Sequence, residues 1–546
     1  MNQRSQSNLN ATTPLAARND ESNSFGSTNP AESFSQTQLP GESLEDYYKR
    51  LGEKSDREDL VMFINACFAA TRQNEYYTDR FEQSVSIDFL HRYVMTNYRR
   101  TYARALSAGI NHFNQAQVIF NLLQSGAPAD HDLRTEEGNL IASALKRLPP
   151  NRVFGLFRLL KGRRVNNRRT RAVIKKYLNW RREPEFDAVK YRRKYRAAAS
   201  HAHVKLPAEF GAFLFDFQKT KSFETELFDD YKKAHYSAAT IYNLPFTVAE
   251  SLAAKHEVPR EVFFRKIEHK MTAAEKLRFQ TASAKGKGTK VELDLSRARL
   301  TRLAIYVLSL SPKERIERAD ELSAAFEASA RRAISYAPLK LGRVAAVLDR
   351  SRSSIGSKQK RNRPLAVALA TNELLKQASN DYQAFWTIPI DGDHEFMVTP
   401  KGQTSLAETL IDALQWKPDL LLLVSDGYEN DPPDAANQIV RVYQEKIAKP
   451  LVSSSTKGEV SLSDGSQSDS KKAMPEIIHL NPVFDSDHFS PKPLGAAIPT
   501  VGIRDAEDVA TMLGFARFAS GSAKLEVLES HLERLSRDFV KGKQNE

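Results

Sequence analysis

From Glu42 to about Leu341, large apolar residues recur at helical spacing with polar residues between them. Leu60, Phe63, Ile64, Cys67 and Phe68 form one such stripe. Val118, Ile119, Leu122 and Leu123 form a second, and Ile141, Leu145 and Leu148 a third. Val153, Leu156, Leu159 and Leu160 form a fourth. Pro149-Pro150 stands in front of it and suits a first helical turn, where the missing N–H of proline would have had no partner. Short polar breaks such as Ser125-Gly126-Ala127-Pro128 and Lys161-Gly162 separate the stripes. Strand-type alternation is largely absent. The pattern therefore predicts many consecutive short helices stacked in pairs as an α-solenoid, although no repeat of fixed period is visible.

Past Leu341 the pattern changes. Val344-Ala345-Ala346-Val347 and Leu420-Leu421-Leu422-Leu423-Val424 are continuous apolar runs, as expected of strands buried on both faces. Glu476 to Leu480 and Ile498 to Ile503 read as later strands. Arg361 to Ser379 reads as a helix with Pro364 near its first turn, Ser405 to Gln415 as another, and Leu525 to Lys543 as a terminal amphipathic helix. Strands alternating with helices predict an α/β part. Residues 1–41 are rich in Asn, Ser, Gln, Thr and Pro, hold too few large apolar residues to offset ordering entropy, and are expected to be disordered. Lys449 to Pro475 is rich in Ser, Lys and Asp and is expected to be a mobile insertion. The predicted organisation is multidomain: a tail at 1–41, an all-α part at 42–338, and an α/β part at 339–546.

Composition narrows the setting. The chain has 546 residues and no run of 18 apolar ones, so no membrane helix is expected, and the N-terminus lacks a signal pattern. The single cysteine, Cys67, sits within an apolar stretch and reads as a small buried hydrophobe. One cysteine allows no intrachain disulfide, which suits a reducing, cytoplasmic setting.

Charge changes the picture more. The net charge is +13, and Lys161 to Ser200 alone holds 15 Lys and Arg against 3 Asp and Glu, a net +12. Such focusing is the electrostatic footprint of a polyanion-binding surface. The candidate polyanion-binding cations, read as RNA-binding in the resemblance given below, are Arg163, Arg164, Arg168, Arg169, Arg171, Lys175, Lys176, Arg181, Arg192, Arg193, Lys194, Arg196 and Lys205, with His203 beside them. Cations neutralise phosphates, and the interleaved Tyr177, Trp180, Tyr191, Tyr195, His201 and His203 are of types that stack on bases. The bland alternative is a pair of solvated helix faces with Trp180 and the tyrosines in the core. The four cations Arg168, Arg169, Lys175 and Lys176 are spaced to share one helix face. His201 and His203 lack the accompanying ligands of a metal site. Gly286-Lys287-Gly288-Thr289-Lys290 lacks the spacing of a phosphate loop and reads as a flexible basic loop.

The candidate metal chemistry lies in Leu348-Asp349-Arg350-Ser351-Arg352-Ser353, directly after the first predicted strand. Open α/β sheets place their sites at carboxyl ends of strands. One carboxylate and two hydroxyls at alternate positions are hard oxygen donors, suited to Mg²⁺, Ca²⁺ or Mn²⁺, with Mg²⁺ the first expectation. The second strand run ends in Ser425-Asp426-Gly427, and Lys401-Gly402-Gln403-Thr404 lies between the two. No G-x-G-x-x-G follows either strand, which disfavours a dinucleotide site. No nucleophile–base arrangement stands out, so no enzymatic chemistry is expected.

Asp-x-Ser-x-Ser, then a Thr after a Gly, then an Asp at a strand end resembles the metal-ion-dependent adhesion site of von Willebrand factor A domains, over about Gly342 to the C-terminus. The resemblance implies metal ligation, directly or through water, by Asp349, Ser351, Ser353, Thr404 and Asp426. Arg350 and Arg352 depart from the small or apolar residues often found between the ligands, and are expected to bring positive charge near the cation or to meet an acidic partner. The basic stretch and the order of the parts resemble the TROVE family, which includes the Ro autoantigen. Arg196 through Ala202-His203-Val204-Lys205-Leu206-Pro207 is similar to that family's segment after a basic helix, with Leu206 an extra residue. The resemblance implies a ring or solenoid of HEAT-like helical repeats that binds small non-coding or misfolded RNA, followed by a Rossmann-like von Willebrand factor A domain. In that reading an acidic side chain of a protein partner completes the metal site. The alternative is a metal-dependent protein-binding scaffold or adaptor without RNA.

Overall fold

A computed structural model describes residues 43–277, 294–392, 394–448 and 474–542 of the chain. The expected tail at 1–41, the basic loop at Gly286 to Lys290 and all of the expected insertion but Met474 and Pro475 lie outside the described residues. The chain divides into two compact units, Met1–Gly52 and Glu53–Glu546. In the first, Ser43 Oγ donates to Asp46 at 2.7 Å and accepts from its N–H at 3.1 Å, at the start of the helix Leu44–Ala69. Everything below concerns the second unit.

Its first part is a succession of helices, many begun by a side chain that accepts from the orphan N–H groups of the first turn. Asp79 caps Arg80–Asn97, Asn111 caps His112–Gln124, Asp130 caps His131–Arg147 and Asn167 caps Arg168–Trp180. Pro150–Gly162 opens on its proline, as the sequence predicts. The four apolar stripes are almost wholly buried; only Leu159 is half-buried. The helical run ends with Leu300–Val307, Pro312–Glu317 and Ala319–Tyr336.

Among the described residues the α/β part carries five parallel strands: β1 (Leu341–Leu348), β2 (Ser379–Trp386), β3 (Leu420–Val424), β4 (Glu476–Asn481) and β5 (Thr500–Gly502), in the order β2-β1-β3-β4-β5. Val344, Ala346 and Leu348 join the core on one face, with Leu365 and Leu369. Ala345 and Val347 join that on the other, with Leu406 and Leu410. β2 is an element the apolar pattern did not announce. The expected helix ends at Ala378, and the chain turns at once into this half-buried edge strand.

The helix Arg363–Ala378 is buried on nearly all sides. The helices Leu300–Val307 and Ala319–Tyr336 lie against it, so the helical part supplies the outer layer on that face of the sheet. One apolar core thus runs through both parts, from Leu60 to Phe539. Polar contacts tie the same seam. Asn65 donates to the carbonyl of Thr500 at 2.9 Å and accepts from Gly502 N–H, so a side chain of the first helix pairs the free edge of β5. Arg147 donates to the Phe539 carbonyl at 2.8 Å, and Arg315, buried, donates to the carbonyls of Phe396 and Val398 at 3.0 and 3.1 Å.

Candidate functional site

The strand order decides where a site forms. From β1 the chain crosses to β2 on one side and then returns to β3 on the other. The carboxyl ends of β1 and β3 therefore flank the switch point, where loops diverge and leave a crevice. Leu348 pairs with Val424 across these ends, and Asp349 N–H donates to the Val424 carbonyl at 3.0 Å. Asp349 and Asp426 consequently emerge side by side from adjacent strands.

Around Asp349 the hydroxyls are gathered by its own carboxylate. Ser351 donates to it from N–H at 2.7 Å and from Oγ at 2.9 Å, and Ser351 Oγ lies 2.9 Å from Ser353 Oγ. The Thr404 loop is fastened to the same turn: Lys401 N–H donates to the Arg350 carbonyl at 2.8 Å and Arg352 N–H to the Gly402 carbonyl at 3.0 Å. Gly427, with φ +80°, follows Asp426. A Cβ there would come within 2.3 Å of the Lys492 carbonyl, so only glycine lets the loop turn so tightly. Asp349, Ser351, Ser353, Thr404 and Asp426 are all buried.

Two observations concern what this arrangement can do. Burial, and then the charge of Asp426, push the Asp349 carboxyl up to about 7, and burial likewise raises Asp426. Two buried carboxyl groups side by side resist joint ionisation unless a cation joins them. Thr404 Oγ1 is buried and has no hydrogen-bond partner among the described residues. That hydroxyl, on a loop fastened to the Asp349 turn, together with the two carboxyl groups and two serine hydroxyls, makes a donor set of the class hard divalent cations take. Among the described residues no group of three or more His, Cys, Asp or Glu forms a metal cluster; the donors here are mainly hydroxyls.

Arg350 corrects an expectation. Its side chain is fully buried, donating to the carbonyls of Thr399 at 3.0 Å and Pro389 at 2.7 Å, with Asp391 at 3.5 Å. It braces the loop leading to Thr404 and cannot meet a partner. Arg352 is exposed.

The basic stretch divides in two. Arg163, Arg164, Arg168, Lys175, Arg193, Arg196 and Lys205 are exposed. None has an ion-pair or side-chain hydrogen-bond partner among the described residues, and the same holds for exposed His203 and half-buried Lys194. Lys176 is exposed, with its ammonium 5.0 Å from the Trp180 ring centre, and Arg171 donates to the Asn166 carbonyl at 3.0 Å. Arg169, Arg181 and Arg192 are instead engaged internally. Arg169 donates to buried Glu137 at 2.8 Å, Arg181 pairs with buried Asp187, and Arg192 donates to the Phe213 carbonyl at 2.7 Å. Tyr177, Tyr195 and His201 are core residues, and His201 lies 2.8 Å from the Val165 carbonyl. They are not free to stack on bases.

Arg163 also lines a cavity of about 460 Å³ with Arg72, Arg92, Gln117, Asn121 and Gln124. Arg72 and Arg92 escaped the sequence reading because each is an isolated cation far from the basic stretch. No local signal would have marked them.

No family model matches the chain, and no curated protein matches it. Among solved structures, the chain is similar to the crystal structure of the Deinococcus radiodurans RO (RSR) protein, at 13% sequence identity and a TM-score of 0.48, over 86% of this chain and 100% of that one.

Proposed function

We propose that this chain is a TROVE-like RNA-binding protein whose helical part holds RNA and whose α/β part is a von Willebrand factor A-like domain with a divalent-cation site. The observation that carries the RNA reading is the set of exposed cations between Arg163 and Lys205 that lack acidic partners among the described residues. Cations meant only for solubility or helix stability are commonly interspersed with Glu and Asp, whereas a phosphate-binding face leaves them unpaired. The cavity lined by Arg72, Arg92 and Arg163 adds amide side chains, a mixture suited to phosphate and base edges together. Asp349, Ser351, Ser353, Thr404 and Asp426 would hold the cation, with Mg²⁺ first in expectation. When bound, the cation supplies a Lewis-acidic position for the carboxylate of a protein partner. No enzymatic role is proposed.

The test is filter binding of a structured RNA with a single-stranded 3′ end to the full chain at several salt concentrations, with the ratio of absorbance at 260 and 280 nm read before and after nuclease. The full chain is needed because the two parts share a core. Expected are co-purifying nucleic acid and affinity that falls steeply with salt. Absence of both would leave the scaffold reading in its place. Calorimetric titration of Mg²⁺ should give binding in wild type and none in Asp349→Ala, and chelation should not release RNA.

A further inference from the structure

The candidate ligands are buried, yet a cation that grips a partner must present one position outward. Near them is Tyr77, from the segment between Leu44–Ala69 and Arg80–Asn97. Its ring packs on that of Tyr428, two residues past Asp426, with centroids 3.9 Å apart and planes inclined at 31°. Lys492 Nζ stands 3.8 Å from the centre of the same Tyr428 ring. Ser353 and the charges of Asp349 and Asp426 all act on the Tyr77 hydroxyl. Tyr77 itself is 42% exposed, while the candidate donors are buried.

The segment carrying Tyr77 is pinned to the loop that carries Ser353. Glu75 and Lys360 form a buried ion pair. Ser357 Oγ donates to the Asn74 carbonyl at 2.6 Å, and Asn74 N–H donates to Gln359 Oε1 at 3.0 Å. From behind, Gln83 donates to the carbonyls of Thr71 and Gln73 at 2.7 and 2.9 Å and accepts from Glu75 N–H at 3.0 Å. These contacts hold the backbone under Tyr77.

We propose that Tyr77 is an intrachain cap of the candidate metal site. Its phenol hydroxyl occupies the approach that a partner's carboxylate would use, and the carboxylate gains access when the Tyr77 side chain swings away from Tyr428. This rests on the divalent-cation reading above. A ligand that must first displace a stacked aromatic binds more weakly by the fraction of time the site stands open. An aromatic pair of this kind sets that factor at roughly threefold to tenfold.

The experiment uses the full chain, with Mg²⁺ affinity measured by calorimetry. Acetate binding to the Mn²⁺-loaded protein is then followed by water-proton relaxation, which falls as the carboxylate displaces bound water. Expected is near-wild-type Mg²⁺ affinity for Tyr77→Ala, with acetate bound about threefold to tenfold more tightly. Tyr77→Phe, which keeps the ring and loses the hydroxyl, should fall between the two; it carries the test if Tyr77→Ala proves unstable. Equal or weaker acetate binding in variants that still take up Mg²⁺ overturns the cap and leaves the cation reading intact. Failure of the wild type to bind either cation removes the cation reading, and the cap with it.

Discussion

Arg169 separates a fold-stabilising arginine from a nucleic-acid-binding one. Glu137 is fully buried, and two cations compensate it: Arg99 Nε at 2.6 Å and an Arg169 guanidinium nitrogen at 2.8 Å. Both arginines also reach the Gly126 carbonyl, at 2.7 and 3.4 Å. Stripping a buried carboxylate of its only partner costs about 3–5 kcal/mol. In Arg169→Ala one partner remains, so the expected loss is near half of that, about 2 kcal/mol. Arg169→Glu, which sets a second carboxylate beside the first, should cost at least the full amount. Arg168, Lys175 and Lys176 are exposed, so changing them should move stability by only about 0.5 kcal/mol. Urea denaturation reads the first effect and salt-dependent RNA filter binding the second. Changing Arg168, Lys175 and Lys176 together to Glu should lower the slope of log affinity against log salt by about 2–3, at roughly 0.7–0.9 per phosphate contact. Arg169→Ala should leave that slope unchanged. An Arg169→Ala protein with an unchanged urea midpoint and a slope lowered by about one would refute the division.

His91 is buried between Tyr102 and Asn114, and burial holds its pKa down at about 4. Between about pH 4 and the ordinary value near 6.5 the unfolded chain binds the extra proton. The contribution of His91 is therefore full above 6.5 and is lost as pH falls, by about 3 kcal/mol in all, and His91→Gln should flatten the urea-derived stability profile over that range. Asn65→Ala, which strands the Thr500 carbonyl and the Gly502 N–H, should cost about 1–3 kcal/mol, read as a lower urea midpoint. Glu75→Leu or Lys360→Met alone should cost about 3–5 kcal/mol, whereas the two together should lie near wild type, because the double change leaves no unpaired buried charge; a double-mutant cycle by urea denaturation decides it.

What the sequence alone determined is local. The apolar stripes around Phe63, Ile119, Ile141 and Leu156 mark helix faces, because helical geometry repeats every 3.6 residues whatever the helix later meets. The continuous runs at Val344 and Leu420 mark strands covered on both faces, and the hydroxyl-rich turn after Leu348 lies at a strand end for the same reason. β2 stayed hidden because it is a half-exposed edge strand, where the pleat demands no strict alternation. The tertiary structure decided everything that depends on a distant partner. Arg168 and Arg169 are neighbours in one basic stretch, and only Glu137, on another helix, separates their roles. Arg350 belongs to the loop of Thr399, and Tyr77, far from the Asp349 turn in the chain, is carried to it by the segment that Lys360 and Ser357 pin down. Periodicity records which side of an element is buried; it holds no term for which side chain of another element completes a buried charge or covers a site.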